Sequence, residues 1–266
     1  MWKFIKGTFM VLVVIYLLAP MAIILVISFS SAEFLSFPPP GFSLRWYENL
    51  FTDPKWSMTL MTSIKVVIPT CILSTVCGVG AAVALTRSKF AGKHALTAML
   101  MAPLVVPIIV IAAGVYEFYL DVGMTGTLIG FVLAHTMLCI PYVLSIVMAS
   151  MSTLSEQLEQ AASSLGAPPW ATFRRIILPL LAPSVLSGML FAIVVSFDEL
   201  IVSLFISTPW FKPVSVQMWS DVRGDVNPTI AAIGSLLFVF SALVVLLEAW
   251  MRNRVNARTA AVSRNN

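Results

Sequence analysis

Residues 156–183 read EQLEQAASSLGAPPWATFRRIILPLLAP, the only long polar interval in the second half of an otherwise apolar chain. The stretch is punctuated like two short helices. Just ahead of it, Thr153-Leu-Ser-Glu156 fits a capping box, in which the Thr hydroxyl takes an amide of the first turn and Glu156 reaches back. Leu154, Leu158, Ala161, Ala162 and Leu165 recur at helical spacing and form an apolar stripe, with Glu156, Gln157 and Gln160 elsewhere on the surface. Gly166 suits the position just past a helix end, where the backbone turns left-handed. Pro168 and Pro169 suit the first turn of a second helix, whose amides lack partners anyway. Trp170, Phe173, Ile176 and Ile177 give that helix its own apolar side. Arg174 and Arg175 fall toward its C-terminal end, where positive charge complements the helix dipole. Pro179 and Pro183 mark the start of the next apolar run. The stretch therefore encodes an elbow of two short helices, suited either to a bilayer surface or to a groove on a partner.

The rest of the chain says what the elbow belongs to. Of 266 residues, 59% are hydrophobic and only 11% charged, and the mean hydropathy is +0.95. A soluble domain carries far more charge, so the bilayer is the expected solvent. Six apolar stretches, at about 8–29, 62–85, 95–116, 127–149, 180–206 and 229–250, are each long enough to cross a ~30 Å hydrocarbon core. The first follows Lys3 and Lys6, but it outruns a signal peptide's apolar core and no small-x-small cleavage site closes it. We read it as the first span of a single membrane domain over 1–266.

Basic residues set the expected orientation. With the N-terminus inside, that side holds Lys3, Lys6, Arg87, Lys89, Lys93, Arg174, Arg175, Arg252, Arg254, Arg258 and Arg264, and the other side holds Arg45, Lys55, Lys65, Lys212 and Arg223. Eleven against five puts both termini, and the elbow, in the cytoplasm. The net charge of +4 is accounted for by these loops, and no basic reading face for nucleic acid occurs. Trp46, Tyr47, Trp56, Trp210 and Trp219 lie near predicted outer ends and read as an interfacial aromatic belt, with contact to an external protein as the alternative. Asp221 and Asp225 in the last outer loop are candidates to face such a protein, and Glu117 and Asp121 read either as solvated or as an acidic entrance.

Chemistry-bearing motifs are few. Cys71, Cys77 and Cys139 sit in apolar runs, and an odd number of thiols argues against a disulfide framework. His135 and Cys139 share a helix face, but two ligands do not make a metal site. Gly92-Lys93-His94 is the nearest string to a phosphate-binding loop and lacks its flanks, so the chain has no ATP cradle of its own. No nucleophile–base–orienter set can be assigned, and no catalytic residue is expected.

The informative polar groups lie in VVSFDELIVSLFIS, residues 194–207. An ionisable group at membrane depth costs about 3 kcal/mol and faces a cavity or a partner. Gly188, Ala192, Ser196, Glu199 and Ser203 fall on one stripe if the helix is continuous, while Asp198 lies over Val194, Val195, Ile201 and Val202. The stripe puts Glu199 on a polar path and Asp198 at its edge or a subunit contact. A structural ion pair, or close helix packing through small residues, is the other reading.

The pattern Ala161-Ala162-x3-Gly166-x9-Ile176-x-Leu178-Pro179 resembles the EAA loop of permease subunits of binding-protein-dependent ABC importers. The family's usual Glu aligns with Gln160, with Glu159 one place earlier. The SFDE string, Ser196–Glu199, resembles the polyamine branch, the spermidine and putrescine importers. Related branches carry iron, thiamine, 4-aminobutyrate or aminophosphonates. The resemblance implies an all-α integral membrane protein of the type I importer permease fold, in a bacterial inner membrane, with six spans and the elbow at 153–178. Glu159, Gln160, Ala161, Ala162, Gly166, Ile176, Leu178 and Pro179 would then seat the elbow in a cleft of an ATP-binding subunit. It further implies a second, related permease, two ATP-binding subunits holding ATP and Mg, and an external substrate-binding protein. A self-sufficient secondary carrier is the rival, and it would have no use for the elbow.

Overall fold

Prolines and helix ends, more than hydropathy, decide how the apolar stretches run. The computed structural model describes residues 2–224 and 227–264. Among the described residues the structure is helical, with only isolated bridge pairs besides. The helices are α1 (Trp2–Ser28), α2 (Arg45–Thr52), α3 (Pro54–Arg87), α4 (Lys93–Val105), α5 (Ile108–Val122), α6 (Leu128–Thr153), α7 (Gln157–Ser164), α8 (Pro169–Thr172), α9 (Leu178–Asp198), α10 (Ile201–Ile206), α11 (Val214–Arg223) and α12 (Thr229–Arg264). Five apolar helical runs are long enough to cross a bilayer: Ile5–Ser28, Pro54–Arg87, Leu128–Thr153, Pro169–Asp198 and Thr229–Leu247. A sixth crossing is available if α4 and α5 count together.

That pair departs from the straight third span expected at 95–116. α4 and α5 meet at 106°. Pro107 is the cause: it clashes with a helical residue before it, and Val106 is accordingly extended at φ −73, ψ 132. Pro107 then opens α5 without a missing amide, since its own N–H would have had no partner there.

The chain divides into two compact units, Thr62–Ser215 with Val245–Asn266, and Met1–Met61 with Val216–Val244. The first is built on α6. Val143, Leu144, Val147 and Met151 of α6 are buried against Val79, Ala82 and Leu85 of α3 and against Leu181 and Ala192 of α9. Gly188 lets α9 close on α6, because a Cβ there would sit 3.3 Å from Val143 Cα. A second cluster joins Phe131, Ala134 and Leu138 of α6 to Ala112 and Tyr119 of α5 and to Val202 and Ile206 of α10.

The other unit is stitched by polar contacts. Tyr47 Oη lies 2.7 Å from both Ser28 Oγ and Ser235 Oγ, and Asn49 donates to Thr229 Oγ1 at 2.9 Å. Lys55 pairs with the buried Asp221 at 2.7 Å, and Gln217 donates to the same carboxylate. Asp221 is thus turned inward, not offered to an external protein; Asp225 lies outside the described residues. Trp46 and Trp56 are buried, which removes them from an aromatic belt, whereas Trp210 is almost wholly exposed. The two buried rings lie in α2 and the first turn of α3.

Candidate functional site

The elbow forms, with three changes from expectation. Thr153 ends α6 and its hydroxyl bonds Ser150 O, so it does not cap α7; Ser155 Oγ accepts the Gln157 amide instead. Gly166 does take the left-handed conformation, at φ +80. Its amide donates to Ser163 O at 2.9 Å and that of Ala167 to Ala162 O at 3.0 Å, the paired bonds of a Schellman end. The second helix, however, does not stop before the membrane. α8 passes through a π-helical turn, Phe173–Ile177, straight into α9, giving one helical run Pro169–Asp198 of 30 residues. Pro179 has no amide to bond Arg175 O and its ring crowds that carbonyl, which favours a widened turn at this point. Arg174 and Arg175 are therefore exposed mid-helix, not at a dipole end.

The motif residues divide by burial. Ala162 is buried, Glu159, Ile176 and Leu178 are half-buried, and Gln160, Ala161, Gly166 and Pro179 are exposed. Leu154, Phe173 and Ile177 join the core around α6. Leu165 and Trp170 do not: they are 88% and 67% exposed. The intended apolar stripes are thus split, half anchoring the elbow and half left uncovered. A cleft of about 500 Å³ opens beneath, walled by Val83, Arg87, Met151, Glu159, Trp170 and Phe173 among others.

Glu159 is not free to serve a partner. Its Oε1 accepts Arg87 Nε at 2.6 Å, from the last turn of α3. Arg87 also donates to Leu154 O at 3.0 Å, and Glu156 stands 3.8 Å from its other nitrogen.

The second site lies where the fifth crossing breaks. α9 ends at Asp198, and Glu199 is extended at ψ 114. Its carboxylate accepts the amides of Val202 and Ser203, both at 2.8 Å, and so caps α10. His135, reaching from α6, lies 2.9 Å from Ser196 Oγ through Nδ1 and 3.0 Å from Ser203 Oγ through Nε2. Glu199 Oε2 is 3.8 Å from the same Nε2. His135 and Glu199 side chains are 1% and 4% exposed. The expected stripe thus exists, but Gly188 and Ala192 meet α6 while Ser196, Ser203 and Glu199 close a buried polar knot around His135. Glu199 is thus held in this knot while it also borders the cleft on which Asp198 opens. The helix does not continue through residue 199, so the stripe is assembled from two helices and the break between them. From sequence, His135 is weighed only as a metal ligand beside Cys139; an ionisable side chain at membrane depth was the available signal for its place in this knot.

Asp198, by contrast, is exposed. It lines a cleft of about 520 Å³ with Pro103 and Ile108 at the α4–α5 bend, Leu138 and Tyr142 of α6, Val195, and Glu199, Leu200 and Ile201 at the break. Tyr142 stacks on Phe191 at 5.2 Å between ring centres and stiffens that wall. Glu117 and Asp121 are exposed along α5.

Known proteins fit this arrangement. Residues 74–257 match the family described as the inner membrane component of binding-protein-dependent transport systems. The spermidine/putrescine transport system permease protein PotC of Haemophilus influenzae is 31% identical over 95% of this chain and 98% of its own length. The putrescine transport system permease protein PotI of Escherichia coli is 30% identical over 88% of this chain and 85% of its own. A solved bacterial alginate ABC transporter, in complex with an alginate pentasaccharide-bound periplasmic protein, has a chain of the same fold. Its TM-score is 0.68 at 14% identity, over 97% of this chain and 98% of that one. The type I importer permease fold expected from the sequence is therefore the fold observed. On these matches the chain belongs to the family of binding-protein-dependent transport system inner membrane components, as a multi-pass permease of an ABC importer.

Proposed function

We propose that this permease forms half of the path by which an ATP-driven importer carries a small polyamine, spermidine or putrescine, into the cell. The observation that carries the importer reading is the elbow. It leaves Leu165 and Trp170 uncovered and continues as one helix up to Asp198. A 30-residue helix is about 45 Å long at 1.5 Å per residue, about 15 Å more than the hydrocarbon core needs. A push on the outlying turns is thereby delivered to the acid at the far end.

The polyamine reading draws on the relatives named above and on Asp198, whose carboxylate fronts a cleft within the usual 300–1,000 Å³ range of small-molecule sites. An ammonium 4 Å from a carboxylate gains about 4 kcal/mol at the effective dielectric of a protein surface. Ser196, Ser203 and Glu199 act behind Asp198, holding the break between α9 and α10. The partners are a second, related permease, two ATP-binding subunits that hold ATP and Mg and hydrolyse the nucleotide, and an external binding protein. Arg87, Lys89, Lys93, Arg174 and Arg175 gather at the elbow end, which is consistent with a cytoplasmic elbow and cytoplasmic termini.

The test is reconstitution of the complex in vesicles with binding protein and spermidine, putrescine or 4-aminobutyrate. Polyamine-stimulated ATP hydrolysis, lost in Gly166→Val, is the expected result. Stimulation only by 4-aminobutyrate keeps the importer and discards the polyamine; uptake by this chain alone, without ATP, discards the importer.

A further inference from the structure

The elbow is tied to the bundle by a polar contact as well as by its apolar anchors Leu154, Phe173 and Ile177. Arg87 ends α3, and its guanidinium reaches two groups on the segment that joins α6 to α7 and one within α7. Nε meets Glu159 at 2.6 Å, one terminal nitrogen meets Leu154 O at 3.0 Å, and the other stands 3.8 Å from Glu156. Leu154 O belongs to the end of α6, where unpaired carbonyls and the helix dipole both favour a cation. The guanidinium is 15% exposed and Glu159 32%, so the pair is shielded from the screening that empties most surface ion pairs of value. The planar, fixed fork of Arg suits this three-way contact; a Lys ammonium could not span it.

From this geometry we infer that Arg87 is a positioning residue for energy coupling: it clamps the elbow helix α7 to the end of α3, so that elbow movement drives the second crossing as well as the fifth. The fifth crossing is driven through backbone, by the continuous run Pro169–Asp198. The second is driven through this side chain. The clamp also engages Glu159, the one acid within α7, and leaves Gln160 on the exposed face, so α7 itself offers a partner no unpaired carboxylate.

This inference rests on the importer reading, and its test separates the two. Arg87→Gln, Arg87→Lys, Glu159→Gln and the reversed pair Arg87→Glu/Glu159→Arg are purified in the full complex, and two quantities are read. The first is hydrogen exchange at amides 157–165, which depends on the clamp whatever the solute. Exchange there speeds at least tenfold in Arg87→Gln, less in Arg87→Lys, and returns to within about threefold of wild type in the reversed pair, which regains the ion pair but not the Leu154 bond. The second is the ratio of stimulated to basal ATP hydrolysis, which falls at least fivefold in Arg87→Gln while the ATP-binding subunits still co-purify, and recovers in the reversed pair. Wild-type exchange in Arg87→Gln overturns the clamp. Accelerated exchange with an unchanged ratio overturns its role in coupling. An assembled reversed pair that restores neither quantity also overturns it. A wild-type complex that no solute stimulates refutes the importer reading, and the exchange measurement still decides the clamp.

Discussion

Replacing Glu199 and Asp198 in turn separates the roles of two acids that are neighbours in the chain. Glu199→Ala removes the acceptor of two buried amides, Val202 N and Ser203 N, each bonded at 2.8 Å. A hydrogen bond to a charged acceptor contributes about 1.5–3 kcal/mol, so losing both costs roughly 3–5 kcal/mol once α10 has relaxed. At about 2–4 °C per kcal/mol for chains of this size, the unfolding midpoint drops by roughly 6–20 °C. Glu199→Gln keeps one acceptor but turns an NH₂ toward the other amide, at a cost of about 2 kcal/mol. Asp198→Asn touches an exposed side chain and stays within about 0.5 kcal/mol of wild type. The assay is intrinsic-fluorescence melting of the purified protein in one detergent at one scan rate, since membrane-protein midpoints depend on both. Polyamine uptake is measured on the same preparations. The expected pattern is a melting loss in Glu199→Ala and an uptake loss without a melting loss in Asp198→Asn. The opposite pattern, an unshifted midpoint with abolished uptake in Glu199→Ala, refutes the capping role and makes Glu199 a residue of the path alone.

Three further outcomes follow from the packing. Gly188→Val drives two methyl groups toward Val143, whose Cα would already lie 3.3 Å from a Cβ. It costs about 1–3 kcal/mol of overpacking and lowers the midpoint, whereas Gly188→Ala is far milder, as parallel melts will show. His135→Ala strands the Ser196 and Ser203 hydroxyls and leaves a buried cavity, a loss of about 2–4 kcal/mol read in the same melt. At Gly166, with φ +80 and nothing within 4 Å of the place a Cβ would take, only backbone strain acts. Asn tolerates that conformation and keeps stimulated ATP hydrolysis, while Val adds about 1–2 kcal/mol of strain and loses it.

The family was legible from the elbow because its spacing is set by covalent geometry: a left-handed turn at Gly166, then prolines that can only start a helix. The membrane class was legible from composition. What escaped is tertiary. Pro103 and Pro107 were visible in the sequence, but a hydropathy window sums transfer energies and is blind to a 106° bend within an apolar run. The break at Glu199 has no Gly or Pro to announce it; it exists because a side chain caps the next helix while His135 fills the gap. The Thr153 capping box failed because α6 was longer than its apolar core and absorbed the Thr into its last turn. Glu159 could be aligned with a family position, but its partner, Arg87, lies 72 residues upstream and no local pattern reaches that far.

The π turn at Phe173–Ile177 has one more consequence, and it concerns rotation. A helix advances about 100° per residue, and a widened turn holds one residue more than an α turn would. The azimuth of Trp170 relative to the face of α9 that meets α6 is therefore set by the number of residues in this segment. Deleting one apolar residue here leaves hydropathy and charge almost untouched, yet it swings the elbow about a third of a turn and points Trp170 away from whatever it meets. Length in this segment is constrained more tightly than residue type.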